Sequence, residues 1–137
     1  MRGTYFLIIY FSEDTRVTVG SLGNITFNIG YYIYVGSAMG EKGSSSLEHR
    51  IRRHLSNPKK KNIHWHIDYL LEKPAIIIGV ILIPTTMRLE CLIAQELCKT
   101  SIHIVPRFGS SDCSCKSHLF YFKEYTGLRS LFELQQK

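Results

Sequence analysis

The chain has 137 residues, of which 45% are hydrophobic, and it carries a formal net charge of +6. This length and composition predict one domain with its own core, and they exclude a disordered chain, which lacks enough core-forming residues. The spacing of the four cysteines does not suggest a disulfide framework, and the N-terminus shows no signal-peptide pattern. We therefore expect a cytoplasmic protein without a membrane span, whose positive charge serves an anionic partner.

The first part of the chain is rich in strand-forming segments. Residues 4–11 predict a β-strand, and residues 16–20 and 24–28 predict two strands of a hairpin around the turn at 21–23. Tyrosines then alternate with aliphatic residues up to Gly36, which predicts a strand with Tyr32 and Tyr34 on one face.

A basic amphipathic helix is predicted next. Ser45, followed three residues later by Glu48, fits a capping box at its start. Arg50 and His54 occupy the stripe beside the apolar one, where a guanidinium is held in place and still meets a phosphate. The apolar stripe that is expected to face the core consists of Leu47, Ile51 and Leu55, while His49, Arg52 and Arg53 are expected to point away.

Positive charge is concentrated at the end of this helix and just after it. Such a stretch contacts phosphates without reading base sequence, and its tryptophan can stack on an unpaired base. A solvated loop around Asn57 and Pro58 would explain the same charges. The residues that we assign to nucleic-acid binding are Arg53, Lys59, Lys60, Lys61, Trp65 and His66.

The second half of the chain predicts a strand and a helix. Residues 75–83 are an apolar, β-branched run between two prolines, which predicts a buried strand. The helix starting near Arg88 contains two acidic residues: Glu90 lies at the edge of its apolar arc. Glu96 projects near the middle of that arc, where an unpaired carboxylate is costly. The arc consists of Leu89, Leu92, Ile93 and Leu97.

Paired histidines and cysteines raise the question of a zinc site. His64 with His66 and Cys113 with Cys115 supply four ligands of two types that zinc accepts, but each pair has a single intervening residue, unlike common zinc fingers. Zinc is therefore disfavoured on this pattern. Turn chemistry around Asp112 gives it a local capping role, and a place in the wall of a cleft is the alternative for Asp112, Cys113 and His118.

Taken together, these features resemble the GIY-YIG nuclease superfamily, and most closely its Uri-type endonuclease branch. The motifs that carry the resemblance are Gly3-Thr4-Tyr5, Tyr34-Val35-Gly36, Arg50 with His54, and Glu90, together with the Uri-type blocks at 64–70 and 108–120. The resemblance implies an α+β fold with a small, central, mostly antiparallel β-sheet flanked by helices. The chain departs from the simple GIY-YIG pattern, in which a short loop joins the two motif strands, because the hairpin predicted at 16–28 is inserted between them. Residues 1–123 would form the core of this single domain and residues 124–137 a C-terminal extension.

The resemblance also implies a divalent-metal-dependent endonuclease that hydrolyses phosphodiester bonds in DNA, in repair or processing. Tyr5 would be the general base and Tyr34 its assistant, although the sequence does not rank the two. A phenol has an ordinary pKa near 10, so a neighbouring cation must lower the pKa of the base. Arg50 would supply that charge, and His54 and His64 would support catalysis.

The implied metal ligand is Glu90, and Glu96 on the same helix is the alternative. One carboxylate with waters and phosphate oxygens suits a single Mg²⁺ or Mn²⁺ ion. Two other classes stay open: a nucleic-acid-binding module of the same fold without cleavage, and a zinc-stabilised interaction domain. RNA as substrate, a partner protein or fused targeting domain, and the oligomeric state are likewise open.

Overall fold

The computed structural model describes residues 1–56, 65–71, 74–110 and 115–124. The strands are β1 (Gly3–Phe11), β2 (Thr15–Thr18), β3 (Asn24–Phe27), β4 (Gly30–Ala38), β5 (Ala75–Pro84), β6 (His103–Ile104) and β7 (Leu119–Phe122). The helices are α1 (Leu47–Leu55), α2 (His66–Leu70) and α3 (Glu90–Thr100), with short 3₁₀ turns at Gly20–Leu22 and Gly43–Ser45. Among the described residues, no helix is long and apolar enough to cross a membrane.

The predicted α+β fold is confirmed. Five antiparallel strands form the central sheet in the order β5-β1-β4-β7-β6, and the inserted hairpin β2-β3 forms a second, two-stranded sheet. The two motif strands β1 and β4 are direct neighbours, with Tyr5 opposite Gly36 and Leu7 opposite Tyr34. Long separation in sequence therefore does not keep the two motif tyrosines apart.

Side chains alternate between the two faces of the central sheet, as the period of a β-strand requires. One face carries Tyr5 and Tyr34, and it packs against Leu47 of α1, Ile67 of α2 and the inserted hairpin. The opposite face packs against α3, mainly through Ala94 and Leu97. The hairpin contributes two fully buried side chains, Val19 and Phe27, to the first face.

Helix α1 departs in three respects from the sequence-based expectation. It begins one residue later, with Ser46 as the N-cap: Ser46 Oγ accepts a hydrogen bond from the His49 backbone at 3.4 Å, while Ser45 ends the preceding 3₁₀ turn. Leu55 is the last residue of the helix and is 57% exposed, so it does not complete the core stripe. His54, expected at the boundary, is only 2% exposed.

The expectation of a buried strand at 75–83 is wrong, because β5 lies at the edge of the sheet. Burial alternates along it, and Ile76 and Ile78 are about half exposed. The buried face of helix α3 also differs from the predicted one. Glu96 is exposed and lies 3.2 Å from Lys99, so it does not sit in the middle of a buried arc.

Candidate active site

Tyr5 and His54 form a buried hydrogen-bonded pair at the centre of the candidate site. The Tyr5 hydroxyl lies 2.7 Å from His54 Nε2, and both side chains are 2% exposed. Strand β1 supplies the tyrosine and the last turn of α1 supplies the histidine. The two groups can exchange a proton without a bridging water, because this distance is within direct hydrogen-bond range.

The glycine of the second motif makes room for Tyr5. A Cβ atom at Gly36 would collide with Tyr5 Cζ and its hydroxyl oxygen, and it would lie 2.8 Å from Cε2. The tyrosine ring therefore rests directly on the backbone of the neighbouring strand. Tyr34 lies on the same face, with its ring centroid 6.4 Å from that of Tyr5 and 6.2 Å from that of His54.

Arg50 lies one helical turn before His54, and its guanidinium is fixed in place. Its Nη1 donates a hydrogen bond to the Ser37 carbonyl at 3.1 Å, and its guanidinium carbon lies 4.7 Å from the centroid of the Trp65 ring. Within the described part of the chain, its buried Nε has no hydrogen-bond partner. An unmatched buried donor on a fixed cation fits an anionic ligand such as a phosphate.

Arg53 does not point away from the protein, contrary to expectation. Its Nη2 lies 2.6 Å from Oδ2 of Asp68, a fully buried carboxylate, and its guanidinium carbon lies 4.7 Å from the Trp65 ring. The same Asp68 oxygen accepts a hydrogen bond from the Trp65 backbone at 2.9 Å. Arg53 and Trp65 thus join α1 to α2, and nucleic-acid binding by these two residues stays a prediction.

Glu90 approaches the site from the first position of α3. Its Oε1 lies 2.7 Å from His118 Nδ1. Burial works to raise the pKa of Glu90, but hydrogen bonding by the His118 and Ser37 side chains, helped by the charges of His118 and Arg50, lowers it below the ordinary range. Glu90 is therefore an ionised, partly buried carboxylate beside Arg50, whereas Glu96 is a solvated one.

The electrostatics of Tyr5 correct one expectation. Burial raises the pKa of Tyr5 well above 10; Arg50 offsets part of this rise and Glu90 adds to it. Burial likewise raises the pKa of Tyr34. The neighbouring cation does not lower the pKa of either phenol below its ordinary value. A tyrosine base in this site therefore needs a group that takes its proton, and His54 is in place to do so.

A family description matches almost the whole length of the chain, from residue 4 to residue 136: "Domain of unknown function DUF123". The chain belongs to the DUF123 family. Neither the curated proteins nor the solved structures give a match. The matched range includes every residue of the candidate site, from Tyr5 to His118.

In this DUF123 domain, several predicted site residues lie outside the described ones: His64, Lys59, Lys60, Lys61, Asp112 and Cys113. His66 opens helix α2, where its Nδ1 accepts a hydrogen bond from the Gly109 backbone at 2.9 Å and burial lowers its pKa. His66 therefore positions the loop at Gly109, next to Tyr34.

Sequence reasoning missed three contributors to the site of this DUF123 domain. Ser37 contacts both Arg50 and Glu90, and Asp68 holds Arg53. Cys91 is the third, and it lies with Cys115 and His118 in a group of side chains whose donor atoms are close enough together to hold a metal ion. Asp68 carried a usable signal, since an acidic residue three positions after a helix N-cap often bonds the N-cap backbone. Ser37 and Cys91 carried none, because their partners come from distant segments.

Proposed function

We propose that this DUF123 domain is a GIY-YIG-type endonuclease that uses a divalent metal ion to hydrolyse phosphodiester bonds in DNA, in repair or processing. One observation carries the proposal. Tyr5, Tyr34, Arg50, His54 and Glu90 come from four separate elements, yet the two tyrosines and His54 are in contact and the charges of Arg50 and Glu90 both act on the pKa of Tyr5. Packing alone does not require a base, a proton acceptor, a fixed cation and an ionised carboxylate to meet in one place.

Tyr5 and His54 would act as a relay. Tyr5 Oη accepts a proton from the attacking water while its own proton passes to His54 Nε2, so no free phenolate is formed. This route suits a phenol whose pKa burial has raised, because a neutral imidazole accepts a proton far more readily than a neutral phenol does. The proton is then carried by His54, which stays hydrogen-bonded to Tyr5.

Arg50 would bind the phosphate that is cut. Its guanidinium is already oriented by the Ser37 carbonyl and by the face of Trp65, so little side-chain freedom is lost when an anion binds. Positive charge held at this position favours the transition state, in which negative charge grows on the phosphate oxygens.

Glu90 fits the metal ion that such a nuclease uses. The test is the chemistry of the donor: an ionised carboxylate that is 23% exposed is a hard oxygen ligand within reach of solvent. Bound there, Mg²⁺ or Mn²⁺ would act as a Lewis acid on the phosphate and the leaving oxygen. The negative charge of Glu90 also offsets the positive charge of Arg50 when no phosphate is bound.

DNA is the proposed substrate because the chain has a net charge of +6 and the site has a fixed arginine. Among the described residues, Cys98 is a free thiol, which fits the reducing cytoplasmic location that we propose. The net charge and the fixed arginine do not distinguish DNA from RNA, so the experiment includes both.

The decisive experiment incubates the protein with labelled DNA and RNA of single-stranded, duplex and branched structure in Mg²⁺ or Mn²⁺. Wild-type protein should cut at least one substrate, and Arg50→Ala and Glu90→Ala should each lose on the order of 10²-fold or more of that activity. The matched controls are Arg52→Ala and Glu96→Ala, which change exposed residues on the same two helices. The proposal fails if wild-type protein cuts nothing, or if the site variants cut as well as their controls.

A further inference from the structure

Two cysteines and one histidine lie close together beside Glu90. Cys91 follows Glu90 in the first turn of α3, and Cys115 and His118 lie on the segment that leads into β7. One ligand atom from each of the three, a sulfur or a ring nitrogen, lies within 4.8 Å of the other two. His118 is buried and the two cysteines are partly buried.

We propose that Cys91, Cys115 and His118 bind one zinc ion. Two thiolates and an imidazole form a soft to borderline donor set, which suits zinc and does not suit Mg²⁺ or Ca²⁺. In a tetrahedral zinc site the ligand atoms are about 3.5–3.8 Å apart, given bond lengths near 2.0–2.3 Å. The observed spacing is thus within about 1 Å of that geometry, a gap that side-chain rotations close.

Glu90 gives this site a second feature of zinc centres. Metal-binding histidines usually direct their other ring nitrogen at a carboxylate or carbonyl, which fixes the ring and raises its basicity. His118 Nδ1 lies 2.7 Å from Glu90 Oε1, so Nε2 is the atom that would bind zinc. Glu90 is then a positioning residue for the zinc site, in addition to the metal-binding role proposed above.

Zinc at this position would link helix α3 to the segment that precedes β7, beside the candidate active site. The His118 backbone oxygen accepts a hydrogen bond from Val35 of β4 at 2.9 Å, and the His118 backbone N–H donates to Phe108 at 2.8 Å. A metal link from α3 to this segment would therefore fix the strand that carries Tyr34. A fourth ligand is not found among the residues that the structure describes.

The test measures metal binding rather than cleavage. The full chain is purified under reducing conditions, its zinc content is measured by atomic emission, and the zinc-free protein is titrated with Co²⁺. We expect about one equivalent of zinc per chain and, with Co²⁺, a sulfur-to-metal charge-transfer band with the intense visible bands of a tetrahedral ion. Protein that contains no zinc and shows no such band after Co²⁺ addition would overturn the proposal.

Variants identify the ligands. Cys91→Ser, Cys115→Ser and His118→Asn should each weaken or abolish the cobalt spectrum, whereas Cys98→Ser, two turns along the same helix, should retain it. Glu90→Gln should bind zinc roughly 10- to 100-fold more weakly, as expected for the carboxylate that orients a ligand histidine. Circular dichroism separates loss of metal from loss of fold. If Cys98→Ser loses the spectrum as fully as Cys91→Ser, the assignment is wrong.

These outcomes do not depend on the proposed nuclease. A chain that binds zinc through these residues and cuts nothing would support the zinc site and refute the endonuclease. A chain that cuts DNA in Mg²⁺ but takes up neither zinc nor cobalt would do the reverse.

Discussion

The contact between Gly36 and Tyr5 makes a sharp prediction for Gly36→Ala. Carbon atoms in contact are normally about 3.5–4.0 Å apart, whereas the new Cβ would be 2.8 Å from Tyr5 Cε2 and closer still to Cζ and the hydroxyl oxygen. The ring has no free space to enter, since Tyr5 is 2% exposed. Overpacking of this kind costs about 1–3 kcal/mol, and loss of the hydrogen bond to His54 adds about 1 kcal/mol.

We therefore expect the free energy of unfolding of Gly36→Ala to fall by about 2–4 kcal/mol, measured by urea denaturation. Nuclease activity should fall on the order of 10²-fold, because displacement of a reacting group by about 1 Å has that effect. The control is Gly79→Ala in β5, where the new Cβ would be 3.4 Å from the flexible end of Ile8. If Gly36→Ala is as stable and as active as Gly79→Ala, the Tyr5 ring does not depend on this glycine and the reasoning is refuted.

Three further predictions concern single side chains. Tyr5→Phe should reduce cleavage by about 10²–10⁴-fold, since the proton-carrying hydroxyl is lost, and lower the free energy of unfolding by about 1–3 kcal/mol, since the buried hydrogen bond to His54 is lost with it. Tyr10→Phe, on the same strand, should remain active in the same assay. Asp68→Asn should lower the free energy of unfolding in urea by about 1–3 kcal/mol, because Arg53, 24% exposed, loses its buried partner. A loss within error of zero would show that the pair is dispensable. The lowered pKa of Glu90 stabilises the fold above the ordinary pKa of 4.5, and this contribution is lost as pH falls through the folded-state pKa. Glu90→Gln should therefore show a weaker loss of stability on acidification than wild type, measured by urea denaturation at a series of pH values, and an unchanged acid limb would contradict this.

Much of the fold follows from local patterns in the sequence. Residue alternation predicted the two motif strands, and turn-forming residues at 21–23 predicted the hairpin between them, because both depend on neighbouring residues. The nature of β5 could not be predicted in the same way. An apolar run shows that a strand has apolar surroundings, but its place at the edge of the sheet depends on which other strands the chain brings beside it.

In the candidate site, too, local patterns predicted some features, and contacts between distant segments decided the others. Helical spacing placed Arg50 and His54 on one stripe, and the structure brings both to the tyrosines. The exposure of Arg53 was predicted wrongly because helical spacing shows which residues share a face but not which later segment covers that face. Here α2 covers it with Asp68 and Trp65. The Cys91 cluster was missed for the same reason, since its members are far apart in sequence.

The inserted hairpin sets a lower limit on how far this domain can be shortened. Phe27 stacks on Phe11 with ring centroids 5.2 Å apart, and its edge meets Tyr32 and Phe108. A short loop that joined β1 directly to β4 could keep Tyr5 paired with Gly36. It would, however, remove Val19 and Phe27 from the face of the sheet on which both tyrosines lie. A minimal version of this domain must therefore retain the segment between its first two motifs.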